Sequence, residues 1–351
     1  MSGPEKVGKA MPGNADLQNL LGKRLGPYNS FNPVSRVQVW QWCSAMGERS
    51  PLYLHEDYQG QTEFAGAGVV APPAMMQVWT MRDFNDDYAP GSTDEHPYQV
   101  MHDLEAMGFP ANVAVSYDIS FHRYLVAGDR VHHYKTVVEI SDLKTTALGE
   151  GHFFTDRMEY LDQHGELFAE ALITYFQYRP AQQTAGEPGS DQGASAAPPV
   201  DATAAPNSQP DYSDLDAAQL AAGDALPEQA IPITHRLIVG GAIATQDFIP
   251  VHHNVPAAQA AAMPDIFMNI LTTSGLCARY LSDWAGPGSR LRKLAFRLMV
   301  PNTPGDTMLM QGKVTELAQE AGRATVSVEF SGTNSLGPHV MGSATLALAG
   351  E

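Results

Sequence analysis

The chain has 351 residues, an ordinary apolar share of 44% and a formal net charge of −18. That length suffices for two domains or one large double domain with a proper core. The acidic balance excludes non-specific binding to nucleic acid or to an anionic membrane, both of which need basic surface, so a polyanionic ligand must find a local basic patch.

Residues 1–25 read as a polar N-terminal tail without the apolar stretch of a signal peptide, and no apolar run approaches membrane-spanning length. With only Cys43 and Cys277, a reducing, cytoplasmic setting is expected, with no disulfide framework and no metal cluster. A first domain is expected over 26–180. It holds the turn Gly47-Glu48-Arg49-Ser50-Pro51-Leu52-Tyr53, a helix-like apolar stretch over 73–81, and a segment rich in Met and aromatics over 83–110. Gly128-Asp129 then feeds an alternating strand over 131–140. Residues 181–228 are dominated by Ala, Gly, Pro, Ser, Gln, Asp and Thr, the composition of a flexible linker. The second domain, 229–351, repeats the order of the first. Asp247 to His253 crosses Pro250, a helix is expected over 267–282, and Gly305-Asp306 feeds an alternating strand over 325–330. Such repetition implies two similar units packed together. Periodicity alone supports an α+β pattern with one long helix per half.

The most informative stretch is Ala244-Thr245-Gln246-Asp247-Phe248-Ile249-Pro250-Val251-His252-His253. A loop containing proline continues neither a helix nor a central strand, so the Asp247 and His252 side chains can converge on one point. A carboxylate and an imidazole around one water form an acid/base pair for adding water to, or removing it from, an activated double bond. His253 points away from its neighbour on an extended loop, and no further ligands support a metal site.

Asp247, Pro250 and His252 match the Asp-x-Asn-Pro-x-His signature of MaoC-like enoyl-CoA hydratases of the hydratase-2 type, with Ile249 where that family has Asn. Through Asp247 to His253 and the stretches 264–276 and 279–287, the second half resembles the small subunit of steroid side-chain enoyl-CoA hydratases. Through Trp40-Gln41-Trp42-Cys43, Ser50-Pro51-Leu52-Tyr53 and Val70-Ala71-Pro72-Pro73, the first half resembles the MaoC-like part of their larger subunit. The resemblance therefore implies a single-chain fusion with an α+β double hot dog fold, two antiparallel sheets each wrapped around a central helix.

The implied activity is hydration of a bulky trans-2-enoyl-CoA, with a steroid side-chain thioester as one candidate. A (3R)-hydroxyacyl-CoA or acyl-carrier dehydratase of fatty-acid or polyketide metabolism is an alternative, and so is a non-catalytic acyl-CoA-binding scaffold. Coenzyme A would be part of the substrate, no separate cofactor is expected, and a homodimer is the expected assembly. His252 is the base, its reference pKa being near ~6.5, while Asp247 orients the same water and shuttles a proton to Cα. At the matching first-half place stand Glu48 and Tyr53, and tyrosine is no base near neutral pH. One active site per chain follows, in the second half. The resemblance puts the oxyanion donor at the start of the second-half helix, as a backbone N–H of Asn269 or Ile270. Arg290, Arg292, Lys293 and Arg297 are the candidate partners of the coenzyme A phosphates, although their alternation equally fits a solvated strand edge. The first half is also longer between its motifs, and the surplus over 83–110 would either open an apolar tunnel for the acyl group or form a surface insertion.

Overall fold

A computed structural model of the chain describes residues 13, 17–59, 62–181, 210–261, 263–320 and 322–350. Its strands are β1 (Arg24–Asn29), β2 (Ala111–Phe121), β3 (His132–Ile140), β4 (Lys144–Thr146), β5 (Gly149–Leu161), β6 (Leu167–Pro180), β7 (Ala225–Pro232), β8 (Arg290–Leu298), β9 (Thr307–Glu320), β10 (Arg323–Asn334) and β11 (Gly337–Ala347). Side chains alternate between core and solvent along them. In β8, for example, Leu294 and Phe296 are buried while Lys293 and Arg297 are exposed.

The strands form one sheet in the order β1-β3-β5-β6-β2-β8-β11-β10-β9-β7, with β4 attached to β5. Read inward from its two ends, this order pairs β1 with β7, β3 with β9, β5 with β10, β6 with β11 and β2 with β8. The chain is thus a duplicated five-stranded unit, joined where β2 meets β8 antiparallel from Ser116↔Arg297 to Ser120↔Lys293. The two expected antiparallel sheets, one per half, are joined edge to edge into one continuous sheet. β2 and β8 are each the open edge of their own half, and pairing them satisfies backbone groups that would otherwise lie bare.

The second half has a long central helix, Ile270–Ala285, almost wholly buried and capped by Asn269, whose side chain accepts from the Thr272 N–H. It starts three residues later than expected, because a capping asparagine takes extended geometry and fixes the first turn after it. In the first half, the expected long helix over 73–81 is not formed. Pro73–Met75 and Val78–Thr80 are single 3₁₀ turns, and Gln99–Ala106 is a two-turn helix. The apolar stretch is short, its first turn has no side-chain cap, and helices of that length are marginal without strong packing.

Two boundaries also shift. Leu17 is buried with Val100, Leu104 and Phe109 in a small second core, and β1 begins at Arg24, so the expected tail 1–25 is anchored over its last part. Most of the expected linker, 182–209, lies outside the described residues. From Pro210 onward the chain is built into the second half: Asp214 Oδ1 accepts the Gly288 N–H at 2.6 Å, the Leu215 N–H donates to the Ala285 carbonyl at 3.3 Å, and β7 starts before residue 228. Backbone contacts, which composition does not reveal, hold this segment.

The main core runs through both halves. Helices Arg36–Met46 and His235–Ala244 are counterparts that pack on each other. At Gly275, in the middle of the central helix, an added Cβ would lie 2.8 Å from the Trp42 ring and 3.1 Å from the Met46 sulfur. The sheet ends in β1, which contains Pro27, and β7, which contains Pro227 and Pro232. Pairing slips on both, between Leu25 and Tyr28 and between Leu226 and Gln229.

Candidate active site

Thr234 caps helix His235–Ala244 by accepting the Leu237 N–H. At the other end Thr245 donates both its N–H and its hydroxyl to the Gly241 carbonyl, at 2.9 and 2.8 Å. Gln246 then turns through a left-handed φ of 54°, and the Asp247 N–H folds back onto the Ala242 carbonyl at 2.9 Å. Pro250 opens the 3₁₀ turn Pro250–His252 with its φ already set.

These two turns bring His252 Nε2 to 3.7 Å from Asp247 Oδ2, both side chains being largely buried. His252 Nδ1 lies 2.7 Å from the Phe267 carbonyl oxygen. A carbonyl only accepts, so Nδ1 carries a hydrogen, and Nε2, which bears the lone pair in the neutral ring, faces Asp247. The separation is too long for a direct hydrogen bond and suits two acceptors that share one oxygen between them. Asp247 Oδ2 also accepts from Asn269 Nδ2 at 2.9 Å. Close by, the Thr273 hydroxyl lies 2.9 Å from His339 Nε2, and His339 Nδ1 donates to the Val300 carbonyl at 2.6 Å. Burial pushes the His339 imidazole down to about 4, which keeps this second ring neutral.

Asn269 and Ile270 lie where the central helix begins. The Ile270 amide belongs to the first helical turn, whose N–H groups have no intrahelical carbonyl. Of the first-turn amides, that of Thr272 is taken by the Asn269 side chain at 2.8 Å.

The first-half counterpart has the same backbone. The Glu48 N–H donates to the Cys43 carbonyl, its Oε1 accepts the Ser50 N–H at 2.8 Å, and Pro51 opens the turn that carries Tyr53. Burial, with the nearby Asp283 charge adding to it, pushes the Glu48 carboxyl up to about 7. Burial, and Tyr124 beside it, holds the Tyr53 hydroxyl well above its ordinary value. Among the described residues of this half, no imidazole stands at the place of His252, which Tyr53 occupies.

The expected phosphate cluster is dispersed. Arg290 is buried and grips Glu63 through two bonds of 2.8 and 2.9 Å, so its assignment to a phosphate is corrected. Arg292 donates to the His122 carbonyl at 3.2 Å, Lys293 pairs with Asp118 at 3.3 Å, and the Arg297 side chain is exposed. β8 lies at the middle of the sheet and not at an edge, so outward residues face solvent singly while inward ones need partners. Among the described residues, no group of three or more His, Cys, Asp or Glu side chains is arranged to hold a metal ion.

Sequence reasoning missed a buried polar cluster in the first half. Lys135 Nζ lies 2.7 Å from Asp156 Oδ2, donates to the Pro97 carbonyl, and sits 4.7 Å from the Tyr98 ring centroid. Burial pulls the Lys135 ammonium down and the Asp156 carboxyl up, each opposed by the other's charge. With Gln77, Thr80, Tyr88 and Met158 they enclose a cavity of about 20 Å³. Tyr98 lies within electrostatic reach of both Asp156 and Asp247, and Phe84 of the insertion meets Phe248 of the loop edge-on at 5.5 Å. The first-half surplus therefore borders the acid/base pair.

Residues 20–171 match the family model described as the FAS1-like dehydratase domain region. Over 179 residues, 49% of this chain and 54% of the relative, the chain is 37% identical to a probable enoyl-CoA hydratase alpha subunit of Thermomonospora curvata. Over 126 residues, 36% of this chain and 95% of the relative, it is 42% identical to the 3-oxo-4,17-pregnadiene-20-carboxyl-CoA hydratase beta subunit of Mycobacterium tuberculosis. The chain spans about half the length of the alpha-subunit relatives it matches, 54% and 56%. Among solved structures, a MaoC-like dehydratase superposes with a TM-score of 0.69 at 19% identity, covering 95% of this chain and 100% of the other. A Mycobacterium tuberculosis protein described as having a double hotdog fold gives 0.60 at 16% identity, covering 93% and 96%. The fold is an α+β double hot dog.

Proposed function

The chain belongs to the MaoC-like enoyl-CoA hydratase family, and from that premise we propose that it adds water across the 2,3 double bond of a bulky 2-enoyl-CoA, with steroid side-chain thioesters as the substrate class. The observation that carries the reading is the meeting of the Asp247 carboxylate and the His252 Nε2 lone pair 3.7 Å apart, with Nδ1 tied to the Phe267 carbonyl. Two buried acceptors at that spacing hold one water by both of its hydrogens and aim its oxygen lone pair outward. His252 takes one water proton as the oxygen bonds to Cβ and the π electrons move toward the thioester oxygen. That same proton then passes from His252 by way of Asp247 to Cα as the enolate collapses, which returns both groups to their starting states. The net change is addition of H to Cα and OH to Cβ on one face.

Charge that gathers on the thioester oxygen needs fixed donors in a dry site. The backbone N–H groups of Asn269 and Ile270, at the start of the buried central helix, are the candidates. The acyl group is assigned to the first half, where two single 3₁₀ turns stand in the position of a long helix. The names of the relatives support a steroid substrate: one acts, by its title, on a 3-oxo-pregnadiene carboxyl-CoA.

Loss of the conjugated thioester absorbance, followed for trans-2-enoyl-CoAs from crotonyl to a steroid-ring ester, tests this reading. Rapid hydration of the bulky ester with poor crotonyl turnover is the expected result. The reverse preference would assign the chain to ordinary fatty-acyl substrates, and silence across the panel in folded protein would remove the hydratase reading.

A further inference from the structure

In the motif Asp247 to His252 the position that the family fills with Asn is Ile249, half exposed to solvent, so no residue of the motif itself carries a side-chain amide. An amide reaches Asp247 from elsewhere. Asn269 is buried, and all of its polar capacity is directed: Oδ1 accepts the Thr272 N–H at 2.8 Å, and Nδ2 donates to Thr245 Oγ1 and to Asp247 Oδ2, each at 2.9 Å. The Thr245 hydroxyl hydrogen is already committed to the Gly241 carbonyl, so toward Asn269 it can only accept. These polarities fix which way the amide faces. A flipped Asn269 would set its oxygen against the Asp247 carboxylate and its NH₂ against the Thr272 N–H.

We propose that Asn269 is the positioning residue for Asp247, supplying from the central helix the side-chain amide that the motif itself lacks and locking the carboxylate against His252. The proposal rests on the hydratase reading of the site. It also makes one residue the link between the two parts of that site. The side chain that caps the central helix, and so fixes its first amides, is the one that orients the general acid/base carboxylate.

Helix capping and carboxylate positioning can be separated, because aspartate and serine cap a helix about as well as asparagine but donate no amide hydrogen. Asn269→Ser is therefore expected to melt close to wild type and Asn269→Asp somewhat lower, because its carboxylate is buried against Asp247, and both should keep KM within a few-fold. Both should lose kcat roughly 10- to 100-fold, the scale of a misplaced acid/base group. In Asn269→Asp a second carboxylate faces Asp247, and the pH–rate profile should move by about one unit toward alkaline pH, as it does for paired carboxylates. Wild-type kcat and an unmoved profile in folded Asn269→Asp would overturn the proposal. If that variant does not fold, the neutral Asn269→Ser decides by its kcat alone. NMR titration of the His252 ring needs no substrate: a ring that titrates identically in wild type and Asn269→Asp also overturns the contact. Wild-type protein that hydrates no enoyl-CoA, with the His252 titration nevertheless moved by Asn269→Asp, would sink the hydratase reading and leave the contact standing.

Discussion

A base for proton transfer near neutral pH needs a free lone pair in the right place, and the Phe267 carbonyl ensures that His252 presents Nε2 for this purpose. His252→Ala and Asp247→Asn are each expected to lower kcat by about two or more orders of magnitude, read by the absorbance assay, as removal of a general acid/base group does. Glu48→Gln and Tyr53→Phe should leave the rate within a few-fold. Glu48 has a different consequence. Burial, then Asp283, raise its carboxyl to about 7, and burial raises Asp283 itself to about 6. The folded chain thus keeps protons that the unfolded chain has already released, so these groups favour the fold at low pH and that stability is lost as pH rises from about 4 to 7. Thermal melting across that window should fall less steeply in Glu48→Gln, which should also melt higher than wild type at pH 8. An unchanged slope would mean that Glu48 does not hold its proton. At this scale the sequence made Asp247 and His252 legible, because spacing across a proline survives without knowledge of the fold. Asn269 was legible as a candidate oxyanion donor and not as a partner of Asp247, since a contact between positions 22 apart along the chain depends on packing.

The central helix Ile270–Ala285 owes its position to a small residue. Gly275 leaves just enough room for Trp42 and Met46 of the first half to rest against the helix backbone. Gly275→Val improves helix propensity by a few tenths of a kcal/mol, yet drives branched carbons into an indole ring that has no free side to move toward. A net loss of about 1–3 kcal/mol is expected from denaturant unfolding, the cost of overpacking a filled core. This helix could be read from its long apolar stretch, although its start at Ile270 could not, because the capping role of Asn269 shows only in the structure. Its first-half counterpart could not be read, because an apolar run between Pro73 and Met81 satisfies helical periodicity whether or not enough residues follow to hold a helix. The mirrored order of strands was visible only in part. Gly128-Asp129 leads into β3 as expected, whereas Gly305-Asp306 leads into β9 and the alternating run 325–330 that it was expected to feed lies in β10. The union of β2 with β8 joins strands from opposite halves, and no local signal announces such a pairing.

The two halves share one core, one sheet and several polar ties, among them Arg290 with Glu63, the Leu291 N–H with the Tyr124 hydroxyl, and Arg279 with the Met46 carbonyl. The covalent connection through 182–209 is therefore not what keeps them together. Chain cleavage at an engineered protease site between residues 185 and 208 is expected to leave both fragments co-eluting on size exclusion with most of the activity. Separation of the fragments under native conditions would refute this account.

The prolines of the terminal strands have a consequence for assembly. A sheet made by joining two like units edge to edge could in principle recruit a third and continue as a fibre. Here each outermost strand, β1 with Pro27 and β7 with Pro227 and Pro232, lacks amide hydrogens where a newcomer would need them, and each breaks step with its neighbour at the same place. Both outer strands are thereby poor templates for a further strand, so the edge-to-edge joining seen once inside the molecule has no ready site at which to repeat.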